Sequence, residues 1–372
     1  MKFSGYIALK ALLGWIMFLV AFGTAFSQEE VRTYYDEDKK MLREVYSKIN
    51  GVPQGAYKLF LPSGELAQTG TLVNGKKEGI FVDFYPETQD TLRFINYIEN
   101  QKEGISKSFY PEGAVSQVLS YRNDKIEGEV MTYYESGQIK QKAQFAQDRP
   151  NGETILYHEN GNIKERLNFQ SGVMDGKRSQ YDEAGNRVAE ANYQKGQLQG
   201  EQFTYYEDGS AKSKLYYEQG IQEGEALFYH PNGQVARRGT YKKGVPVGAF
   251  ESYFENGKIE ETGKYQRGIL TGDITSYYET GTVREIASFD AAGKLSKIQT
   301  FYPDGAKEKL GLYRSGLEEG DTVLFFPNGK EKERTPYRNG RMHGLQKIYG
   351  EDGQLLMERV FEEGKLVETK SK

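Results

Sequence analysis

Three histidines, His158, His230 and His343, are the only ones in this 372-residue chain, and a metal site would need them to converge on one ion. His158 and His230 stand at equivalent places three repeats apart. With two strands per repeat at ~4.8 Å each, about 29 Å would separate them. The chain has no cysteine, so thiolate ligands, thiol nucleophiles and disulfides are excluded. Most acidic residues sit beside turn glycines, where carboxylates solvate loops. No Ser or Thr stands with a His in a nucleophile arrangement, and no phosphate loop of the GxxxxGKS/T kind occurs. Catalysis, a metal and a cofactor are therefore not expected.

Aromatic residues offer the remaining chemistry. Counting from a recurring glycine as position 0 (Gly55, Gly79, Gly104, Gly128 and onward, with Ser296 the exception), position 5 is aromatic in every repeat, as in Tyr133, Tyr157 and Phe301. Position 17 is aromatic from the third repeat on, as in Tyr121, Phe145 and Tyr265. A further ring recurs at position 6: Tyr85, Tyr110, Tyr134, Tyr206, Phe254, Tyr278, Tyr302 and Phe326. By strand parity it points away from the ring at position 5. It forms a candidate binding stripe, or else packs over its own turn.

The elements that must carry these rings are set by glycine. Gly113, Gly137, Gly161, Gly185, Gly209, Gly233, Gly257, Gly281, Gly305, Gly329 and Gly353 fall every 24 residues, which marks a tandem repeat of about thirteen units. Most of these glycines close an ESG, ENG, EDG, PNG or PDG triplet at positions 7 to 9. That triplet suits a three-residue hairpin loop with a left-handed glycine. A second turn glycine recurs near position 20, replaced by Asn100, Asp124 and Asp148 in three repeats, and these residues tolerate positive φ best after glycine. Each unit reads as strand, turn, strand, turn, and the glycine density excludes a helical solenoid.

A three-residue loop would place position 5 opposite 11, 3 opposite 13 and 1 opposite 15. The rings at position 5 would then share a face with the aliphatics at 11 and with the glycines and alanines at 15, such as Ala143, Gly239 and Gly263, forming a shallow ring-covered core. Positions 10, 12, 14 and 16, for example Gln138, Lys140, Lys142 and Gln144, would face water. The fold class expected is all-β: an elongated antiparallel single sheet of hairpin repeats, twisted or curved.

Residues 1–27 read as a signal peptide. Lys2 and Lys10 lead into an uncharged apolar run, Ala11 to Gly23, and the small residues Ala25 and Ser27 place cleavage before Gln28. The run is short for a transmembrane helix, so export to the periplasm or medium is expected, with no membrane insertion after cleavage. The formal charge of −4 becomes more negative without the two lysines, which disfavours nucleic acid and anionic membrane as partners. Residues 28–54 read as a degenerate capping unit, since VYSKINGVPQG echoes TYKKGVPVG. A short helix with Met41, Leu42, Val45, Tyr46 and Ile49 on one face is the alternative. Residues 55–372 hold the repeats.

Units such as GEVMTYYESG (128–137), GEALFYHPNG (224–233) and GAFESYFENG (248–257) resemble the MORN-repeat variant family over residues 55–368. That family is similar to MORN repeats, which implies an elongated antiparallel sheet serving as a scaffold. Some bacterial members carry an antitoxin label, from which the export segment sets this chain apart. The resulting expectation is a non-enzymatic exported scaffold binding a protein or envelope component. A carbohydrate or cell-wall binding module and an antitoxin-like inhibitor are the alternatives. Against the carbohydrate module, the single tryptophan, Trp15, lies in the signal segment.

Overall fold

The computed structural model describes residues 28–371, so the expected signal segment lies outside the described residues. Those residues form strands joined by turns, with no helix among them, and they fall into two compact units divided between Glu103 and Gly104. In the first, the strands Gln28–Tyr34, Leu42–Ile49, Val52–Phe60, Leu66–Val73, Lys76–Phe84 and Thr91–Ile98 each pair antiparallel with the next. Residues 42–49 are therefore strand, and the helical alternative is not adopted. In the second, hairpins follow in chain order from Gly104–Phe109 to Lys365–Ser371. Each strand makes its extensive contacts with sequence neighbours, so the sheet is an open array and not a barrel.

The first turn of each unit is the loop its sequence implies. In the repeat opening at Gly128, the Tyr134 amide donates to the Gln138 carbonyl at 2.8 Å and the Gly137 amide to the Tyr134 carbonyl at 2.9 Å, with Gly137 at φ +83°. The Asn or Asp at position 8 fixes the loop from inside. Asn232 and Asn328 Oδ1, for instance, accept from the amides two residues on, both at 3.0 Å, which is the local bond that favours these residues in turns.

The second turn has two consecutive residues at positive φ, the geometry of a two-residue type I′ hairpin. Asn100, Asp124 and Asp148 take the glycine place at +73°, +66° and +66°. The residue before them is also left-handed, although it is often Gln or Lys, as at Gln147 (+52°) and Lys195 (+50°). A side chain just before position 0 holds it there: Glu127 accepts from the Gln147 amide at 3.1 Å and Asp175 from the Lys195 amide at 3.0 Å. At the repeat that opens with Ser296, this turn is replaced by a longer loop closed by Gly293, and no left-handed residue is needed at position 0.

Register is where the structure departs from the sequence expectation. Position 5 does face position 11, as Tyr133 faces Ile139, but Thr132 then faces Gln141, Val130 faces Ala143 and Gly128 faces Phe145. One extra residue at position 12 bulges in each hairpin and shifts all later pairs by one. Because side chains alternate with period two, this slip moves a whole set to the opposite face. Positions 2, 4, 13, 15 and 17 share one face, and positions 1, 3, 5, 14 and 16 the other. The expected core of position-5 rings over position 15 is not formed.

The core of each unit is instead a row in which position 2 of a strand lies against position 15 of its neighbours. Phe81, Ile95, Leu119, Val130, Ala143, Leu167, Ala226, Phe250 and Ala287 in these rows are all less than one-tenth exposed. Beside the two phenylalanines of these rows a glycine makes room for the ring. Phe250 lies between Gly239 and Gly263, and a Cβ at Gly263 would come within 2.7 Å of its ring. Gly70 likewise leaves room for Phe81. Rings at position 17, or at the equivalent place in the longer second repeat, cover the row: Tyr97 meets Phe81 edge-on at 5.2 Å and Tyr265 meets Phe250 at 5.3 Å between centroids.

Candidate functional site

In the second unit the rings at position 6 form a row along the first-turn rim, Tyr85 holds the equivalent place in the first unit, and each ring stands where its loop begins. The amides of Tyr85, Tyr110, Tyr134, Tyr206, Phe254, Tyr278, Tyr302 and Phe326 all close their own loops, through donation to the carbonyl beyond the turn. All eight side chains are half-buried. Their hydroxyls have a specific structural use. Tyr110 donates to the carbonyl of Tyr133, Tyr134 to Tyr157 and Tyr206 to Tyr229, each at 2.7 Å. Tyr278 and Tyr302 reach Phe301 and Phe325 in the same way. The acceptor is always the position-5 carbonyl of the next repeat, so the ring ties one hairpin to its successor.

His158 and His230 at this position keep the same tie, with Nε2 3.0 and 2.7 Å from the carbonyls of Tyr181 and Tyr253. Their shared place in the repeat thus reflects a common acceptor in the following hairpin. Phe254 and Phe326 supply a ring without the bond. Lysines at position 12 lie over several of the rings: Lys140 over Tyr134 at 5.5 Å, Lys212 over Tyr206 at 5.6 Å and Lys332 over Phe326 at 5.7 Å. The row is therefore regular and partly covered, and its members do not converge on a common point. The glycines Gly113, Gly137, Gly161, Gly209, Gly233, Gly257, Gly281, Gly305 and Gly329 sit at the loop tips beside it, all at positive φ.

The slip in register gives the position-5 rings a polar setting that sequence parity did not show. Tyr205 stacks on Phe203 at 6.3 Å and donates to Glu190 at 3.0 Å. Burial alone would raise the Glu190 carboxyl, but hydrogen bonds from Lys177 and Tyr205 and the charge of Arg187 outweigh it and hold it below the ordinary range. Similar ion pairs cross this face at 2.7 Å between Arg166 and Glu153 and at 2.6 Å between Lys214 and Glu201. On the core face of the first unit, burial lowers the Lys77 ammonium, which sits 4.6 Å from the Phe81 ring centre and 5.0 Å from that of Tyr97. Tyr57 in the same unit is pushed up to about 12 by burial and by Glu44.

Among the described residues no group of three or more His, Asp and Glu is placed to hold a metal ion. What sequence reasoning missed is the inter-repeat tie. Its signal was available in the exchange of Tyr for His at one position, since both can bond a carbonyl while keeping a flat ring.

Comparison with known proteins agrees with this geometry. The family model described as MORN repeat variant matches residues 102–123, 126–147, 150–171, 174–195, 198–219, 222–243, 246–267, 270–291 and 342–363, over half of the chain. No curated protein matches it. Among solved structures, the crystal structure of TcdB2-TccC3 aligns with 91% of this chain at 11% identity and a TM-score of 0.17. A Tc holotoxin pore of Photorhabdus luminescens aligns with 92% at 13% identity and 0.16. This chain spans 22% and 17% of those chains, and such scores carry no argument about fold or function.

Proposed function

This chain belongs to the MORN-repeat variant family, and on that premise we propose that it is a non-enzymatic, exported scaffold that binds a protein or envelope component along its repeats. The observation that supports this reading is the recurrence of one surface. Because hairpins stack in one register, many of them tied to the next by a ring-to-carbonyl bond, equivalent side chains return every ~10 Å along two strands. An extended partner can engage such a surface by many weak contacts that add through effective concentration.

The test has two parts. N-terminal sequencing of protein recovered from cells should begin at Gln28, and retention of Met1 in a cytosolic fraction would overturn export. Pull-down from an envelope fraction should return a protein partner. Capture of polysaccharide in its place would favour the carbohydrate module, and capture of a toxin the inhibitor. Changing Tyr134, Tyr206, Tyr278 and Tyr302 to Phe removes the ties but keeps the rings, whereas changing them to Ser removes both. Binding that survives the first set and fails with the second, with circular dichroism unchanged, assigns contact to the position-6 row. Binding unaffected by both sets excludes that row.

A further inference from the structure

The two turn rims of the second unit differ in charge. At the second turns and their flanks, residues 194–269 present Lys195, Lys242, Lys243 and Arg267, all exposed; the acids at these turns are Glu218 and the half-buried Asp175 and Glu223, which accept from the Lys195 and Lys243 amides at 3.0 and 2.8 Å. None of these four cations has an ion-pair partner among the described residues. Between them stand exposed aliphatics, Ile221, Val245 and Ile269, each 43 to 48% exposed. The first turns of the same repeats present Glu183, Glu207, Glu255 and Glu279 at their tips, also exposed. The cations beside that rim over this stretch are engaged: Lys258 donates to the Glu279 carbonyl at 3.0 Å, Lys212 lies over the Tyr206 ring at 5.6 Å and Arg187 pairs with Glu190 at 3.1 Å.

We infer that copies of this chain associate side by side, the basic second-turn rim of one against the acidic first-turn rim of the next. Two observations favour a second copy over another acidic partner. Both rims have the same period, one turn for every two strands, so the turns of two copies stay in step along the array. The turns are also staggered by one strand, because the turn at Lys195 and Gly196 joins the strands Arg187–Gln194 and Gln197–Tyr205, and the second of these leads into the loop at Glu207. With strands of neighbouring copies in line, Lys195 therefore faces the gap between Glu183 and Glu207 of the next copy. Arg267 faces the gap between Glu255 and Glu279, and Lys243 lies beside Glu255. Single exposed ion pairs contribute little, but several in register act together. The contact uses different patches on the two copies, so it propagates instead of closing as a dimer. This goes beyond the proposed scaffold role, since it needs no outside partner.

The test is sedimentation velocity of the exported chain at ~20 mM and ~500 mM salt, concentrations that bracket strong and weak screening. The weight-average mass should rise to at least about twice the monomer value in low salt and fall back in high salt, as expected for an open, charge-driven contact. One triple variant carries Lys195→Glu, Lys243→Glu and Arg267→Glu, and the other Glu207→Lys, Glu255→Lys and Glu279→Lys. Each alone should stay monomeric, and an equal mixture should assemble again. That restoration cannot arise from misfolding of either variant. A wild-type chain that is monomeric in both salts overturns the inference, as does association unaffected by either reversal. Vesicles of anionic phospholipid provide the last arm. A monomeric chain that binds them and loses binding with the basic-rim reversal would give that rim to a membrane surface. The scaffold proposal stands or falls separately, by the envelope pull-down.

Discussion

Two glycines at the same repeat position should respond oppositely to the same substitution. Gly239 and Gly263 flank Phe250 in the core row, and neither has positive φ, so alanine meets no backbone strain at either. At Gly263 an added Cβ would lie 2.7 Å from Cε1 and 2.9 Å from Cζ of Phe250. The ring, only 4% exposed, must then move by roughly 0.7 Å, and overpacking of this kind costs about 1–3 kcal/mol. At Gly239 the nearest atom is Phe250 Cβ at 3.6 Å, an ordinary contact. Gly239→Ala should be neutral or stabilise by up to about 1 kcal/mol through the lower entropy of the unfolded chain. Denaturant titration gives the balance, and hydrogen exchange places it, since damage in a repeat array should stay near its own units. In a Phe250→Ala background the cost of Gly263→Ala should fall by about 1–2 kcal/mol, with Ile274 Cγ1 at 3.1 Å as the remaining close neighbour. Equal destabilisation by the two alanines, or a Gly263→Ala cost unchanged when Phe250 is removed, would refute the fit of the Phe250 ring over Gly263.

Removing an inter-repeat tie should have a modest, local effect: Tyr206→Phe should cost about 0.5–1.5 kcal/mol and speed amide exchange in residues 205–229. His158→Tyr should be tolerated with the bond to the Tyr181 carbonyl preserved, and thermal melts compare the two. Gln219 is left-handed at φ +51° before Gly220, so Gln219→Asn should raise stability by a few tenths of a kcal/mol, by placing Asn-Gly in a type I′ turn. A lowered melting temperature would contradict that turn assignment. The Glu190 carboxyl is depressed in the fold, so its contribution is present above its ordinary unfolded value and is lost as pH falls through the folded one. Exchange around residues 177–205 should accelerate on acidification below about pH 4.5, and Glu190→Gln should remove much of that response.

The sequence alone determined what is local and repeated. A glycine every 24 residues fixed the unit, and the triplets ending in Gly137 or Gly233 fixed the first loop. Asn100, Asp124 and Asp148 marked the second turn because few other residues adopt positive φ without strain. These are properties of a few adjacent residues, and the backbone enforces them wherever the chain goes. The faces were decided only by the tertiary structure. Position 12 is Lys140, Lys164, Val188, Lys212, Ala236 and Glu260 in successive repeats, so no residue type announces the bulge there. Yet that single extra residue moved the core from beneath the position-5 rings to the row containing Val130, Ala226 and Phe250. The tie from Tyr134 to the Tyr157 carbonyl was equally hidden, because it joins residues 23 apart that become neighbours only once the hairpins are in register. A strand's period of two makes sidedness depend on an exact count of paired residues, and that count is set by pairing with the neighbouring strand, which no local pattern of residues contains.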